Sequence, residues 1–140
     1  MQLDIIRAAS RGSNAKKVAT AIAKAVGVEA KDCSVAIDEP VDLLFLGGSV
    51  YWAGIDKHLK QFIAQLDPDK VQRVASFGTS ALKKDLDKEV DRLVCAKNIP
   101  VSTQNFRCWG EFATVHKGRP NTQDLQRAAD FALAVVAEGK

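Results

Sequence analysis

The run Leu43-Leu44-Phe45-Leu46, opened by Asp42 and closed by Gly47-Gly48, constrains this chain more than any other segment. Consecutive bulky apolar residues with no polar alternation describe a strand buried on both faces. Strands of that kind lie at the centre of parallel sheets that carry helices on each side.

Other apolar patterns alternate with it along the chain. Strands are expected over Leu3 to Ala9, Asp32 to Ile37, Asp42 to Gly47, Val71 to Phe77 and Val101 to Cys108. Behind Asn14 as N-cap, Val18, Ala21, Ile22, Ala25 and Val26 recur at helical spacing, with Gly27 placed to end the helix. A second stripe, Ile55, Leu59, Phe62, Ile63 and Leu66, runs to the stop at Asp67-Pro68, and a third follows at Leu82, Leu86, Val90, Leu93 and Val94. Leu125, Ala128, Ala129, Ala132, Val135 and Val136 form the closing helix. This alternation predicts an α/β fold: a three-layer, doubly wound, five-stranded parallel sheet with right-handed crossovers.

The 140 residues suit a single domain spanning 1–140, and 46% hydrophobic with 26% charged residues is an ordinary globular balance. No apolar run approaches the ~20 residues of a membrane span. The start, Met1-Gln2-Leu3-Asp4, lacks a basic leader with an apolar core, so a cytoplasmic location is expected. Cys33, Cys95 and Cys108 are odd in number, without metal-ligand spacing or a Cys-x-x-Cys pair, which points to reduced thiols. A net charge of +3, evenly spread, gives no nucleic-acid footprint.

In open sheets of this kind the ligand sits at the carboxyl ends of the strands. The expected loops there are Ser10 to Ala15, Gly48 to Gly54, Ser76 to Ser80 and Cys108 to Phe112. Ser10, Arg11, Gly12, Ser13, Asn14 and Ala15 join the first strand directly to a helix, where unpaired N–H groups and small hydroxyl side chains can cradle a phosphate. Alone, such a loop can equally be a simple strand-to-helix joint. Ser49, Val50, Tyr51, Trp52, Ala53 and Gly54 bring two adjacent aromatic rings to the same edge; an isolated pair would read as a cap over the core, but beside a phosphate cradle it reads as a clamp for a ring-bearing nucleotide. Ser76, Phe77, Gly78 and Thr79 offer amides for the polar edge of a planar ligand. Trp109 divides between ring contact and packing, and Cys108 reads as a packed side chain rather than a nucleophile. His58 and His116 lack companions at metal-binding spacing.

These segments resemble the flavodoxin-like flavoproteins. Ser10-Arg11-Gly12-Ser13-Asn14-Ala15 is similar to that family's phosphate loop, Thr/Ser-x-Thr-Gly-Asn-Thr, with the first hydroxyl and the Asn kept and departures at Gly12, Ser13 and Ala15. Gly47-Gly48-Ser49-Val50-Tyr51-Trp52 is similar to its Gly-Ser-Pro-Val-Tyr-Trp segment, which flanks the flavin. Cys108-Trp109-Gly110-Glu111-Phe112 and Gly118-Arg119-Pro120-Asn121, with Asp124-Leu125, resemble the ending of its short-chain members. The resemblance covers nearly the whole chain. It implies FMN as cofactor, strand order 2-1-3-4-5, electron transfer without acid-base catalysis, and redox partner proteins. The same likeness gives Ala53-Gly54 a peptide that reorients when the ring gains a proton.

Arg11, Lys16, Lys17, Lys57, His58, Lys83 and Lys84 surround the expected site, against Asp56 and Asp85. Fewer acids favour an anionic reduced flavin, which implies a less negative hydroquinone couple and a partner with an acidic docking face. Two alternatives stand beside the carrier: an FMN-dependent NAD(P)H:quinone-type oxidoreductase, and a flavodoxin-shaped interaction module that has lost flavin. A phosphorylated receiver domain is excluded because Arg7-Ala8-Ala9 and Gly47-Gly48 occupy its acidic positions. A dinucleotide-binding domain lacks its Gly-x-Gly-x-x-Gly.

Overall fold

The computed structural model describes residues 3–7, 14–50, 57–80, 86–109 and 118–138. Within them the elements run β1 (Leu3–Arg7), α1 (Asn14–Val26), β2 (Ala30–Asp32), β3 (Leu43–Val50), α2 (Lys57–Ala64), β4 (Val74–Ser80), α3 (Leu86–Cys95), β5 (Phe106–Trp109) and α4 (Thr122–Glu138). The strands pair in parallel in the order β2-β1-β3-β4-β5. Strand order therefore reverses between β1 and β3, which pair from Leu3 opposite Leu43 to Arg7 opposite Gly47.

Alternation along β3 divides the interior into two cores. Leu43 and Phe45 join Val18, Ile22, Phe77, Phe106, Phe131 and Ala132 under α1 and α4. Leu44 and Leu46 join Leu59, Ile63, Val74, Val90 and Val94 under α2 and α3. All four of these β3 residues are out of contact with water, which is why no polar residue interrupts the run. Phe45 meets Phe131 edge-on, with ring centroids 6.0 Å apart and planes at 75°.

Several expected boundaries shift. The second strand is Ala30–Asp32 rather than Asp32 to Ile37. At Asp32 the carboxylate Oδ1 accepts the Ser34 N–H at 2.9 Å and the backbone oxygen accepts the Val35 N–H at 3.0 Å, so the chain turns where the apolar pattern suggested extension. The third and fourth strands run on to Val50 and Ser80. Val71 and Val101 make only isolated bridges, to Val41 and Val74, ahead of the strands they were expected to begin.

The helix ends follow from local chemistry. Gly27, at φ +77°, closes α1 with its N–H and that of Val28 both donating to the Ala23 oxygen. At the start of α4, Asn121 Oδ1 accepts the Asp124 N–H and Asp124 Oδ2 accepts the Asn121 N–H, both at 2.9 Å, a reciprocal capping box. Among the described residues no helix is long and apolar enough to cross a membrane.

Candidate functional site

Each crossover helix begins beside the carboxyl end of the sheet, so that edge collects helix N-termini as well as strand ends. Asn14 and Ala15, from the expected phosphate loop, open α1 and are both buried. The first turn of α1 contains no acid, and Lys16 and Lys17 there are exposed. A 13-residue helix that turns its positive dipole end, flanked by two lysines, toward that edge favours an anion there. Ser10, Arg11, Gly12 and Ser13 lie outside the described residues, as do Tyr51, Trp52, Ala53 and Gly54.

The remaining expected residues fall into level rows across β3, β4 and β5. Gly48 pairs with Gly78 and Gly78 with Arg107; one step further, Ser49 pairs with Thr79 and Thr79 with Cys108; Val50, Ser80 and Trp109 complete the last row. Three expected loops are thereby corrected in part. Gly48 to Val50, Ser76 to Ser80, and Cys108 with Trp109 belong to strands, because β4 ladders with β3 on one side and β5 on the other and so holds both extended. The structure brings Ser49, Val50, Gly78, Thr79, Cys108 and Trp109 to one edge. It does not bring the Phe77 ring there: that ring is buried in the core beneath α1 and α4, against Gly47 of the neighbouring strand. Ser76 is also buried, and its hydroxyl has no hydrogen-bond partner. That hydroxyl lies four residues before the end of β4, inside the sheet, so the fit to a phosphorylated ligand rests on the cation-flanked start of α1 beside the strand ends.

Cys108 is buried, and desolvation, reinforced by the Asp124 carboxylate, pushes its thiol up to about 12 against the opposing pull of Arg119 and Arg127. It is a neutral packed group, in keeping with the sequence reading. Behind it lies a cluster whose Arg119 and Asp124 the sequence singled out only through their resemblance to the ending of short-chain members. Arg119 Nε and Nη2 donate to Asp124 Oδ2 and Oδ1, Arg127 Nη1 stands 3.7 Å from Asp124 Oδ1, and the Arg127 guanidinium lies 5.8 Å from the centre of the Phe106 ring. The Asn121-x-x-Asp124 spacing signals the cap. Nothing in the spacing shows that Arg119 reaches forward to the same carboxylate. Among the described residues no three His, Cys, Asp or Glu side chains are grouped to hold a metal ion.

Parallel strands in this order, with helices on both faces and the reversal between β1 and β3, define the flavodoxin-like fold. An archaeal flavodoxin superposes with a TM-score of 0.82 at 15% identity, over 99% of each chain. A short-chain flavodoxin associated with a PDU bacterial microcompartment gives 0.74 at 14% identity over 100% of each chain. The apo form of the NADH:FMN oxidoreductase EMOB gives 0.63 at 15% identity, over 96% of this chain and 90% of that one. No protein-family profile and no curated protein sequence matches the chain.

Proposed function

We propose that this protein binds FMN at the carboxyl edge of its sheet and works as an electron-transfer protein. The observation that carries the reading is the convergence there of the α1 N-terminus with the level ends of β3, β4 and β5, in a fold shared with flavodoxins. In this reading the loop from Ser10 to Ala15 holds the phosphate, with the α1 N–H groups and Lys16 and Lys17 adding positive potential. Tyr51 and Trp52 flank the ring and shield it from water, Ala53-Gly54 supplies the peptide that reorients as the ring gains a proton, and Ser49, Val50, Gly78, Thr79, Cys108 and Trp109 form the rim. Bound FMN supplies one- and two-electron chemistry that the side chains of this chain lack.

Purified protein should be yellow and should release flavin fluorescence on boiling. Colourless protein that stays colourless in an FMN titration would overturn the proposal and favour the flavin-free interaction module. The likeness to an NADH:FMN oxidoreductase supports a second reading, an NAD(P)H:quinone-type enzyme. Steady-state NAD(P)H oxidation with a quinone acceptor separates that enzyme from a carrier.

The exposed Lys16, Lys17 and Lys57 near the helix starts favour a redox partner with an acidic docking face. Electron transfer to such a partner should slow as salt is added, and a rate insensitive to ionic strength would count against it. Reduced thiols suit a cytoplasmic setting for this exchange.

A further inference from the structure

One crossover differs from the others. The connections β1 to β2, β3 to β4 and β4 to β5 each carry a helix, whereas ten residues (33–42) lead from β2 to β3 without one. Cys33, Ile37 and Val41 of that strap belong to the core under α2 and α3, so it crosses the sheet on that face. A helix fills a layer ~10 Å deep beside its neighbour. A turn-rich strap does not, and an open groove remains between it and α2.

Two adjoining cavities of about 480 and 220 Å³ mark the groove; both are lined by Cys33, Ser34, Phe62 and Gln65. His58, Gln61, Phe62 and Gln65 form one wall at helical spacing, while Ile37, Leu66 and Val71 give an apolar floor at the other end. Val35, on the strap, is 44% exposed. The segments that bound it, 29–42 and 57–71, lean acidic: Glu29, Asp32, Asp38, Glu39, Asp42, Asp67 and Asp69 stand against Lys31, Lys57, Lys60 and Lys70. Asp38, Glu39, Asp67 and Asp69 are exposed around the lower mouth, where Asp67 itself lines the cavity.

We propose that this groove docks a basic amphipathic helix of a partner protein, seated in the layer that the second crossover leaves open. An apolar stripe meets Phe62, Ile37 and Leu66, and flanking lysines or arginines meet the acidic mouth. The surface reaches the carboxyl edge only at Asp32 and His58 and runs from there along α2 to Leu66 and Asp67, and docking there does not require FMN.

The probe is a fluorescein-labelled synthetic peptide of about 14 residues, with leucines at i, i+3, i+4 and i+7 and lysines elsewhere, compared by anisotropy with its glutamate counterpart. The full-length protein should bind the lysine peptide at least about tenfold more tightly than the glutamate one, with affinity falling as salt rises. Backbone NMR shifts should move at residues 33–37 and 58–66. Gln65→Trp, at an exposed position that fills the groove, and Asp38→Lys, which reverses a charge at its mouth, should each weaken binding several-fold with unchanged circular dichroism. Equal binding of the two peptides, shifts confined to other residues, or full affinity in both variants would overturn the proposal. So would a dimer of this chain that occupies the groove.

Discussion

Arg119 and Asp124 meet across the first turn of α4 as a two-pronged pair, Nε to Oδ2 at 2.5 Å and Nη2 to Oδ1 at 2.8 Å. The carboxylate is 2% exposed while the guanidinium keeps contact with solvent. The pair pins the segment before α4 to the first turn of that helix, near enough to Cys108 to act on its thiol.

Acid should weaken the fold through this pair and one other. Asp124 is held below its usual 3.8, chiefly by the Arg119 hydrogen bond and then by the Asn121 N–H, against the opposing effect of burial. Glu138 is held below 4.5 by Gln104 first, then by Ser102 and Arg73, again against desolvation. Both folded values lie beneath the unfolded ones. Their stabilisation is therefore complete above the unfolded values and is lost as pH falls through the folded ones. Melting temperature should drop as pH goes below about 4. Asp124→Asn should melt lower at pH 7 and show a flatter acid limb. Arg119→Met should also melt lower, with a deficit that shrinks in acid as Asp124 takes up a proton.

Thiol labelling should separate the cysteines. Cys95 is exposed, whereas Cys108 is buried with its pKa pushed up to about 12. At pH 8 a thiol reagent should modify Cys95 rapidly and leave Cys108 intact until the protein unfolds, as read by peptide mass spectrometry. Because the folded value of Cys108 exceeds the unfolded one, its contribution to stability is full below pH 9 and declines as pH rises through 12.

Gly47 should tolerate no side chain. A Cβ there would overlap the backbone oxygen of Phe77 and come within 2.5 Å of its ring. Gly47→Ala should cost about 1–3 kcal/mol in urea unfolding as β3 and β4 are pushed apart. At Gly27 space is open and only the positive φ opposes a side chain, so Gly27→Ala should cost about 1 kcal/mol.

Truncating the centre of the sheet should be costlier. Phe45 is fully buried, and Phe45→Ala should lose about 3–5 kcal/mol. In a double-mutant cycle with Phe131→Leu, the edge-on rings should show a coupling of about 0.5–1.5 kcal/mol. Additive losses would assign the contact to area burial alone.

The alternation of strands and helices was legible because β3 is apolar throughout and the helical stripes are long. Val18, Ile22, Leu59, Ile63, Val90, Val94, Ala128, Ala132 and Val135 all lie in the cores. Local propensity misplaced β2. Val35 and Ile37 look more strand-like than Ala30 and Lys31, yet pairing with Ile5 and Ile6 selects the earlier residues, and tertiary contact overrides preference. Ser76 to Ser80 read as a loop because glycine and hydroxyl residues favour turns, but with neighbours on both sides they complete a ladder. Phe131 escaped the closing stripe, which had been drawn through alanines. The edge was legible as a place: the rows holding Ser49, Thr79 and Cys108 lie where the carboxyl-end rule put them. The Arg119 clamp was not, since the reach of a long side chain leaves no trace in residue spacing.

The division of β3 between two cores makes its phase indivisible. Inserting a single residue between Leu43 and Leu44 would exchange the layers beyond it, sending Phe45 toward α2 and α3 and Leu44 and Leu46 into the space shaped for an aromatic ring. The same slip would move Ser49 off Thr79 and Val50 off Ser80, so the spacing that fills the interior also aligns the edge. Length changes in this chain can therefore be absorbed in the strap ahead of β3, but not within the strand itself.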